Sequence, residues 1–277
     1  MAYECFTVDI RDKVAHVKLN RPEALNSMVR AFWYELPQIV NGLDRSGAAR
    51  AIVLSSTGKH FTAGMDLSVF TEGNSSAGKE PGRVRANLVR TVLALQQSFS
   101  SLEEARIPVL AAIQGGCIGG GVDMISACDM RYATHDAFFC IQEINLGMTA
   151  DVGTFPRLAH VMPQGLVREL AYTGRRLAAA EALSCGFVNA LFDTHDQLLD
   201  AVTGIAVEIA GKSPLAVWGS KEMLNYGRDH TIADSLRHIA VWQSGMFQPG
   251  DMMEAFAARA EKRPSAHDDL LPIEDPI

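Results

Sequence analysis

Several familiar site signatures are missing from this 277-residue chain. Its five cysteines (Cys5, Cys117, Cys128, Cys140 and Cys185) include no CxxC pair, which excludes the usual zinc and thioredoxin spacings and reads as a set of small, reduced, buried thiols. There is no GxxxxGK[ST] and no GxGxxG in register, so the glycine-rich stretch is not a nucleotide phosphate loop of either common type. GxSxG, HExxH and a DxDxDG loop are absent too, which leaves hydrolase, zinc-protease and calcium readings weak. None of the eight histidines has a partner at ligand spacing, and a solitary one such as His60 reads as structural.

Positive charge is also scarce. Lys plus Arg number 25 against 32 for Asp plus Glu, a net charge of −7, so the chain offers no general attraction to nucleic acid or to an anionic membrane. Any anionic ligand must be held by local groups. The one long apolar stretch, residues 107–128, contains Pro108, Asp123 and a cluster of glycines and falls short of the roughly 20 uninterrupted apolar residues of a membrane span. It reads as buried core. The start alternates polar and apolar residues, without the apolar core of a secretion signal or the Arg/Ser-rich character of an import sequence.

What is present is ordinary globular composition, 48% hydrophobic and 21% charged, in a chain long enough for a large core. Residues 6–20 read as a strand hairpin at a sheet edge, turning at Arg11-Asp12-Lys13. Met28, Phe32, Leu36, Ile39 and Leu43 recur at helical spacing and predict a helix that tolerates Pro37. Residues 51–55 predict a short strand that runs into the turn FTAGMDL. Residues 71–82 are a surface loop by composition, a candidate pocket edge. Residues 83–105 predict a helix whose face of Leu88, Val92, Leu95, Phe99 and Leu102 is expected to be mostly core. A strand, glycine turn, helix, strand, strand alternation follows, as in mixed α/β proteins. Beyond about Asp200 the pattern is helical through Lys262. A boundary is expected near residue 205, dividing a 1–205 core from a 206–277 helical region, with a fraying acidic tail.

Three acids sit within apolar surroundings: Asp123 just after Gly119-Gly120-Gly121, then Glu143 and Asp151. Burial disfavours a charged carboxylate, so each needs partners or a task. The plain alternative is that each caps a helix or bonds backbone amides. The glycines also have two readings. A strand, a glycine triplet and a helix start present outward-facing amides, and the similar turn Ala63-Gly64-Met65-Asp66 presents another, so that two amides can hold one carbonyl oxygen as it becomes an enolate. Alternatively the glycines merely permit tight helix–strand packing.

Taken together, LNRPEALNSM, GKHFTAGMDL, IPVLAAIQGGCIGGGVDMISACDMRYAT, FCIQEINLGMTADVGTFPRL and SPLAVWGSKEML resemble the crotonase (enoyl-CoA hydratase/isomerase) superfamily over nearly the whole chain. The resemblance implies an α/β fold, a crotonase-like spiral of ββα units with a helical C-terminal trimerisation region, assembled as a homotrimer or a hexamer of paired trimers. Asp123 stands where typical hydratases carry Glu, Glu143 occupies the second acidic position, and Asp151 is additional. That trio is similar to the dienoyl-CoA isomerase branch, whose members convert 3,5-dienoyl-CoA into 2,4-dienoyl-CoA in unsaturated fatty acid β-oxidation. By resemblance the backbone amides of Met65 and Gly120 form the oxyanion hole. Ala63, Gly64, Asp66, Leu67, Ser68 and Gly121 line the thioester and pantetheine, Glu143 and Asp151 move protons at carbons 2 and 6, and Asp123 orients or tunes them.

No metal or redox cofactor is expected, coenzyme A arriving as part of the acyl-CoA thioester. Arg21, Lys59 and Lys221 are candidates for its phosphates, although a lone basic residue is usually just solvated. No nucleic-acid or membrane partner is expected. The end, Asp275-Pro276-Ile277, is not a peroxisomal tripeptide, and a cytoplasmic location is expected. Two other functions fit parts of the pattern: a 2-enoyl-CoA hydratase using Asp123 and Glu143, and a non-catalytic trimeric protein that binds RNA. The three acids and the charge of −7 count against the latter.

Overall fold

The computed structural model describes residues 3–71 and 80–274, and most of the loop expected over 71–82, like the last three residues, lies outside that set. The chain opens with β1 (Phe6–Arg11) and β2 (Val14–Leu19), an antiparallel hairpin whose two turn residues, Asp12 and Lys13, both take positive φ (49° and 63°), the geometry that matches the twist of paired strands. Then come α1 (Phe32–Ser46), β3 (Ala51–Ser56), the short α2 (Ser68–Thr71) and the long α3 (Pro81–Glu104). The middle of the chain is β4 (Val109–Ile113), β5 (Gly116–Ile118), α4 (Gly120–Ser126), β6 (Met130–Thr134), β7 (Phe138–Cys140), α5 (Thr154–Val161) and α6 (Gln164–Thr173). It continues through β8 (Leu177–Ala178), α7 (Ala179–Ser184) and β9 (Ala190–Phe192), and closes with α8 (His195–Ala210), α9 (Pro214–Tyr226), α10 (Ile232–Met246) and α11 (Pro249–Glu261).

The strands form two sheets, and from β4 onward the chain passes back and forth between them. One has the order β1-β2-β3-β4-β6-β9, parallel apart from the first hairpin, and the other has the order β5-β7-β8. The chain thus climbs from β4 to β5, through α4, to β6 and β7, a spiral of strand, strand and helix turns as the resemblance implies. β3 is buried throughout, with Ala51–Leu54 an unbroken apolar run, because both its faces are covered. Ile52 and Leu54 face the core shared with Phe32, Leu36 and Phe99, whereas Ala51 and Val53 pack under Leu198, Val202 and Ala206 of α8.

Pro37 stays inside α1, and the carbonyl it leaves without an amide partner, that of Trp33, accepts the Ser98 hydroxyl at 2.8 Å. Two expectations need correction. Of the expected apolar face of α3 only Phe99 and Leu102 are buried, with Leu95 packed against the core, while Leu88 is 59% exposed. The tail does not fray through its described part: Asp269 pairs with Arg50 (2.8 Å) and Lys13 (2.6 Å), and the Ile273 amide donates to the Arg45 carbonyl at 2.8 Å. The boundary expected near residue 205 lies within α8, which packs on the sheet, and α9–α11 follow it.

α9–α11 leave many large apolar residues open, including Leu224, Ile232, Leu236, Val241 and Phe256, and α10 buries no residue within one chain. Gly219 lets α9 and α10 approach, since a Cβ there would meet Trp242 Nε1 at 2.6 Å.

Candidate active site

Two turns from distant parts of the chain are laced together by an isolated strand-like bridge, Thr62 with Cys117, and a second bridge, Met28 with Met65, ties the first turn to the segment before α1. The Thr62 amide donates to the Gly116 carbonyl (3.1 Å) and the Ile118 amide to the Thr62 carbonyl (3.2 Å). Gly64, at φ +86°, lets the first turn lie against the second, because a Cβ there would stand 2.7 Å from the Ile118 carbonyl oxygen. Both Gly64, through its carbonyl, and Asp66, through its amide, bond Met28. Backbone direction alternates along an extended segment, so the Met65 amide between them points the other way. The Gly120 amide opens α4 and has no helical acceptor of its own. Neither amide has an acceptor among the described residues.

The packing around the glycine triplet is tight. A Cβ on Gly121 would lie 2.5 Å from Thr62 Cγ2, and one on Gly120 would lie 3.0 Å from the Met28 sulfur, so the triplet is packed as tightly as the plain alternative requires. That packing is also what brings the two free amides onto adjoining turns. Around them, Ala63 is half-buried with its amide bound to the Leu25 carbonyl at 2.9 Å, and Leu67 is exposed. The Asp66 carboxylate accepts from Ser27 Oγ (2.7 Å) and the Ser68 amide (3.0 Å), bonds that hold it below its usual range and fix the turn into α2.

Asp123 lies in the first turn of α4 with 0% of its surface exposed. It does not cap its own helix. Its Oδ1 accepts both the amide and the hydroxyl of Thr154 at 2.6 Å each, while Oδ2 is buried without a partner. Burial pushes its carboxyl up to about 6, against the pull of the Thr154 bonds. Glu143 stands on the single helical turn Glu143–Leu146 that follows β7, and its Oε1 faces Gly119. The Gly119 amide donates to the Cys140 carbonyl at 2.9 Å, which seats the end of β7 against the glycine turn. Glu143 Oε2 is buried and unpartnered, and burial, then the charges of Asp123 and Asp151, raise this carboxyl to about 7. Asp151 is solvent-exposed in the segment leading to α5, and its backbone carbonyl accepts Gln96 Nε2 at 2.6 Å.

The structure therefore brings the three sequence-predicted acids into one electrostatic group. It does not bring Lys221 with them. That side chain is buried and donates to the Leu102 and Ile107 carbonyls and to Asp129 (2.9 Å), so it ties α9 to the end of α3 and to the residue before β6 and is not free to meet a phosphate. Arg21 donates to the Ser27 carbonyl at 2.9 Å and Lys59 is exposed. His60 accepts the Gly116 amide through Nδ1 at 2.9 Å, a structural histidine as expected. Sequence reasoning missed Thr154 and Arg157, although both stand in the quoted ADVGTFPRL. Among the described residues no group of three or more His, Cys, Asp or Glu is arranged to hold a metal.

Two neighbouring carboxyls raised by burial, beside two turns with free backbone amides, are the kind of surroundings in which acid–base groups are found. The chain belongs to the enoyl-CoA hydratase/isomerase family, whose model matches residues 9–269. It is 44% identical over 264 residues, 94% of this chain and 81% of the relative, to the mitochondrial Δ(3,5)-Δ(2,4)-dienoyl-CoA isomerase of Mus musculus. It is 41% identical to the peroxisomal enzyme of that name from Arabidopsis thaliana, over 90% of this chain and 91% of the relative. The crystal structure of enoyl-CoA hydratase from Bacillus anthracis superposes with a TM-score of 0.84 at 29% identity, over 95% of this chain and 99% of that one. These relatives overturn the cytoplasmic expectation: proteins this similar are named mitochondrial or peroxisomal. Address signals lie outside the folded core, so core motifs carry no information about compartment.

Proposed function

We propose that this chain isomerises 3,5-dienoyl-CoA to 2,4-dienoyl-CoA, in the oxidation of unsaturated fatty acids. The observation that carries the reading is the third acid, Asp151, whose charge reaches both Asp123 and Glu143. A hydratase acting on a 2-enoyl thioester needs two acids at one end of the substrate, whereas moving a proton from carbon 2 to carbon 6 needs a carboxyl at each end. The names and identities of the mouse and Arabidopsis relatives support the same choice.

In this reading the amides of Met65 and Gly120 donate to the thioester oxygen. One such donor is worth about 3–4 kcal/mol in enzymes that stabilise an oxyanion this way. Glu143, as carboxylate, takes a proton from carbon 2. The electron pair spreads over carbons 2 to 6 and the oxygen, and Asp151, as the acid, donates a proton to carbon 6. A carboxyl raised to about 7 lets Glu143 take up a proton and give it up again at neutral pH. Ala63, Gly64, Asp66, Leu67, Ser68 and Gly121 line the thioester and pantetheine. Asp66 and Ser68 do so with the turn already held by their mutual bond. Coenzyme A enters with the substrate, and no further cofactor takes part.

The division into a 1–205 catalytic core and a 206–277 oligomerisation region belongs to the same proposal, as does assembly into a homotrimer or hexamer. The apolar residues left open on α9–α11 support it, since a monomer seldom exposes so much contiguous apolar surface. The test is ultraviolet absorbance with two substrates. A 3,5-dienoyl-CoA should gain the conjugated 2,4-dienoyl chromophore, while a 2-enoyl-CoA should keep its own. Loss of the 2-enoyl chromophore without any gain from the diene makes the chain a hydratase.

A further inference from the structure

One buried contact at the site is unexplained by the roles above. Thr154 is the first residue of α5, yet its hydroxyl does not serve its own helix; it donates to Asp123 Oδ1 at 2.6 Å, beside the Thr154 amide at the same distance. Both donors converge on one oxygen of a fully buried carboxyl and leave the other oxygen with no partner. Beneath this turn the Arg157 guanidinium occupies the space a side chain on Gly153 would need, a Cβ there falling 1.9 Å from Nη1, and Arg157 is held in turn by Glu103 at 3.1 Å. The segment carrying the Thr154 donors is thus braced from behind by an ion pair.

We propose that Thr154 is a positioning residue, fixing the Asp123 carboxyl through two hydrogen bonds to one oxygen so that Asp123 holds a stationary charge and Glu143 carries the travelling proton. The proposal rests on the acid–base reading of the site given above and adds to it a residue that touches no substrate. A carboxylate that accepts two hydrogen bonds is stabilised in its charged form, whereas burial works against that form. Thr154 therefore decides which of two neighbouring buried acids ionises first. The charged or titratable groups facing Asp123 are Glu143 from the turn after β7, Asp151 and Arg157 from either side of the α5 start, and Cys117 from β5. Two of them, Glu143 and Asp151, oppose its charge, and Arg157 favours it. Without the Thr154 hydroxyl, Asp123 takes up a proton at higher pH. A neutral Asp123 no longer opposes the ionisation of Glu143, and the two carboxyls move toward exchanging roles.

The experiment is a pH titration of the whole protein, without substrate, by NMR of isotope-labelled Asp and Glu carboxyl carbons in wild type, Thr154→Val and Thr154→Ser. Asp123→Asn and Glu143→Gln assign the two resonances. The expected result is an Asp123 midpoint moved up and a Glu143 midpoint moved down in Thr154→Val, with both near wild type in Thr154→Ser. The acid limb of the kcat profile should shift with them, with kcat at neutral pH falling roughly tenfold while KM stays near wild type. Thr154→Ala removes the same hydroxyl if the Val variant does not fold. Unchanged midpoints in the folded hydroxyl-less variant overturn the proposal, even where activity falls. A wild type that titrates as expected but turns over no dienoyl-CoA refutes the functional reading and leaves the clamp standing.

Discussion

A methyl group on Gly119 would sit 3.1 Å from Oε1 of Glu143. Gly119 has φ +53° and ψ −122°, a conformation that essentially only glycine adopts, and it hands the chain from β5 to α4 while leaving room for the Glu143 carboxyl. Gly119→Ala should therefore act twice, costing about 1–3 kcal/mol of stability through the backbone and displacing Glu143. Denaturant unfolding and kcat measured together check this. A variant with near-native stability and wild-type kcat contradicts the role given to this contact.

Glu143→Gln should lower kcat by roughly 10²–10⁴-fold, the range for losing a positioned general base. It should also change stability with a definite sign. The Glu143 carboxyl is raised in the folded protein from 4.5 to about 7, so between those values the folded state holds more protons than the unfolded one, and wild-type stability falls as pH rises through that window. Gln removes this slope. Above pH 8 the variant should be more stable than wild type by about 1–3 kcal/mol, a gain in stability with a loss of function that urea unfolding at several pH values would detect.

How much of this was legible beforehand differs by feature. The turns FTAGMDL and CIGGG, the three acids and the helical end stand out in the sequence because each depends on local pattern. The Thr154 clamp does not, because the bond joins α4 to α5 across 31 positions and a threonine after glycine reads only as a helix start. Leu88 shares a periodic face with Phe99 and Leu102 yet is exposed, since periodicity tells which residues share a face but not what covers it. Lys221 reads as a candidate for a coenzyme A phosphate because a sequence does not show that a half-buried carboxylate, Asp129, waits beside it in the fold.

Lys221→Met tests that last correction. Removing the cation leaves Asp129 with an unpaired charge and two backbone carbonyls without a donor, a loss of about 3–5 kcal/mol for a broken buried pair. KM for the acyl-CoA in the folded fraction should not move. A raised KM with normal thermal stability would return Lys221 to the coenzyme A phosphates.

Asp151→Asn should leave folding intact, since the wild-type side chain is exposed and its backbone carbonyl, not its carboxyl, holds Gln96. Activity should fall by about 10²–10⁴-fold, and the fall should lie in protonation at carbon 6. Exchange of the carbon 2 hydrogens with solvent should survive, since Glu143 is untouched. Loss of that exchange along with turnover would place Asp151 at the other end of the substrate.

The proposed transfer between two carboxyls at opposite ends of one dienolate can be read directly in the product. Turnover of 3,5-octadienoyl-CoA in deuterium oxide, followed by NMR of the thioester, should yield 2,4-octadienoyl-CoA carrying deuterium at carbon 6. A hydroxyacyl-CoA product, or a 2,4-diene formed with no solvent hydrogen at carbon 6, would contradict transfer by separate acids.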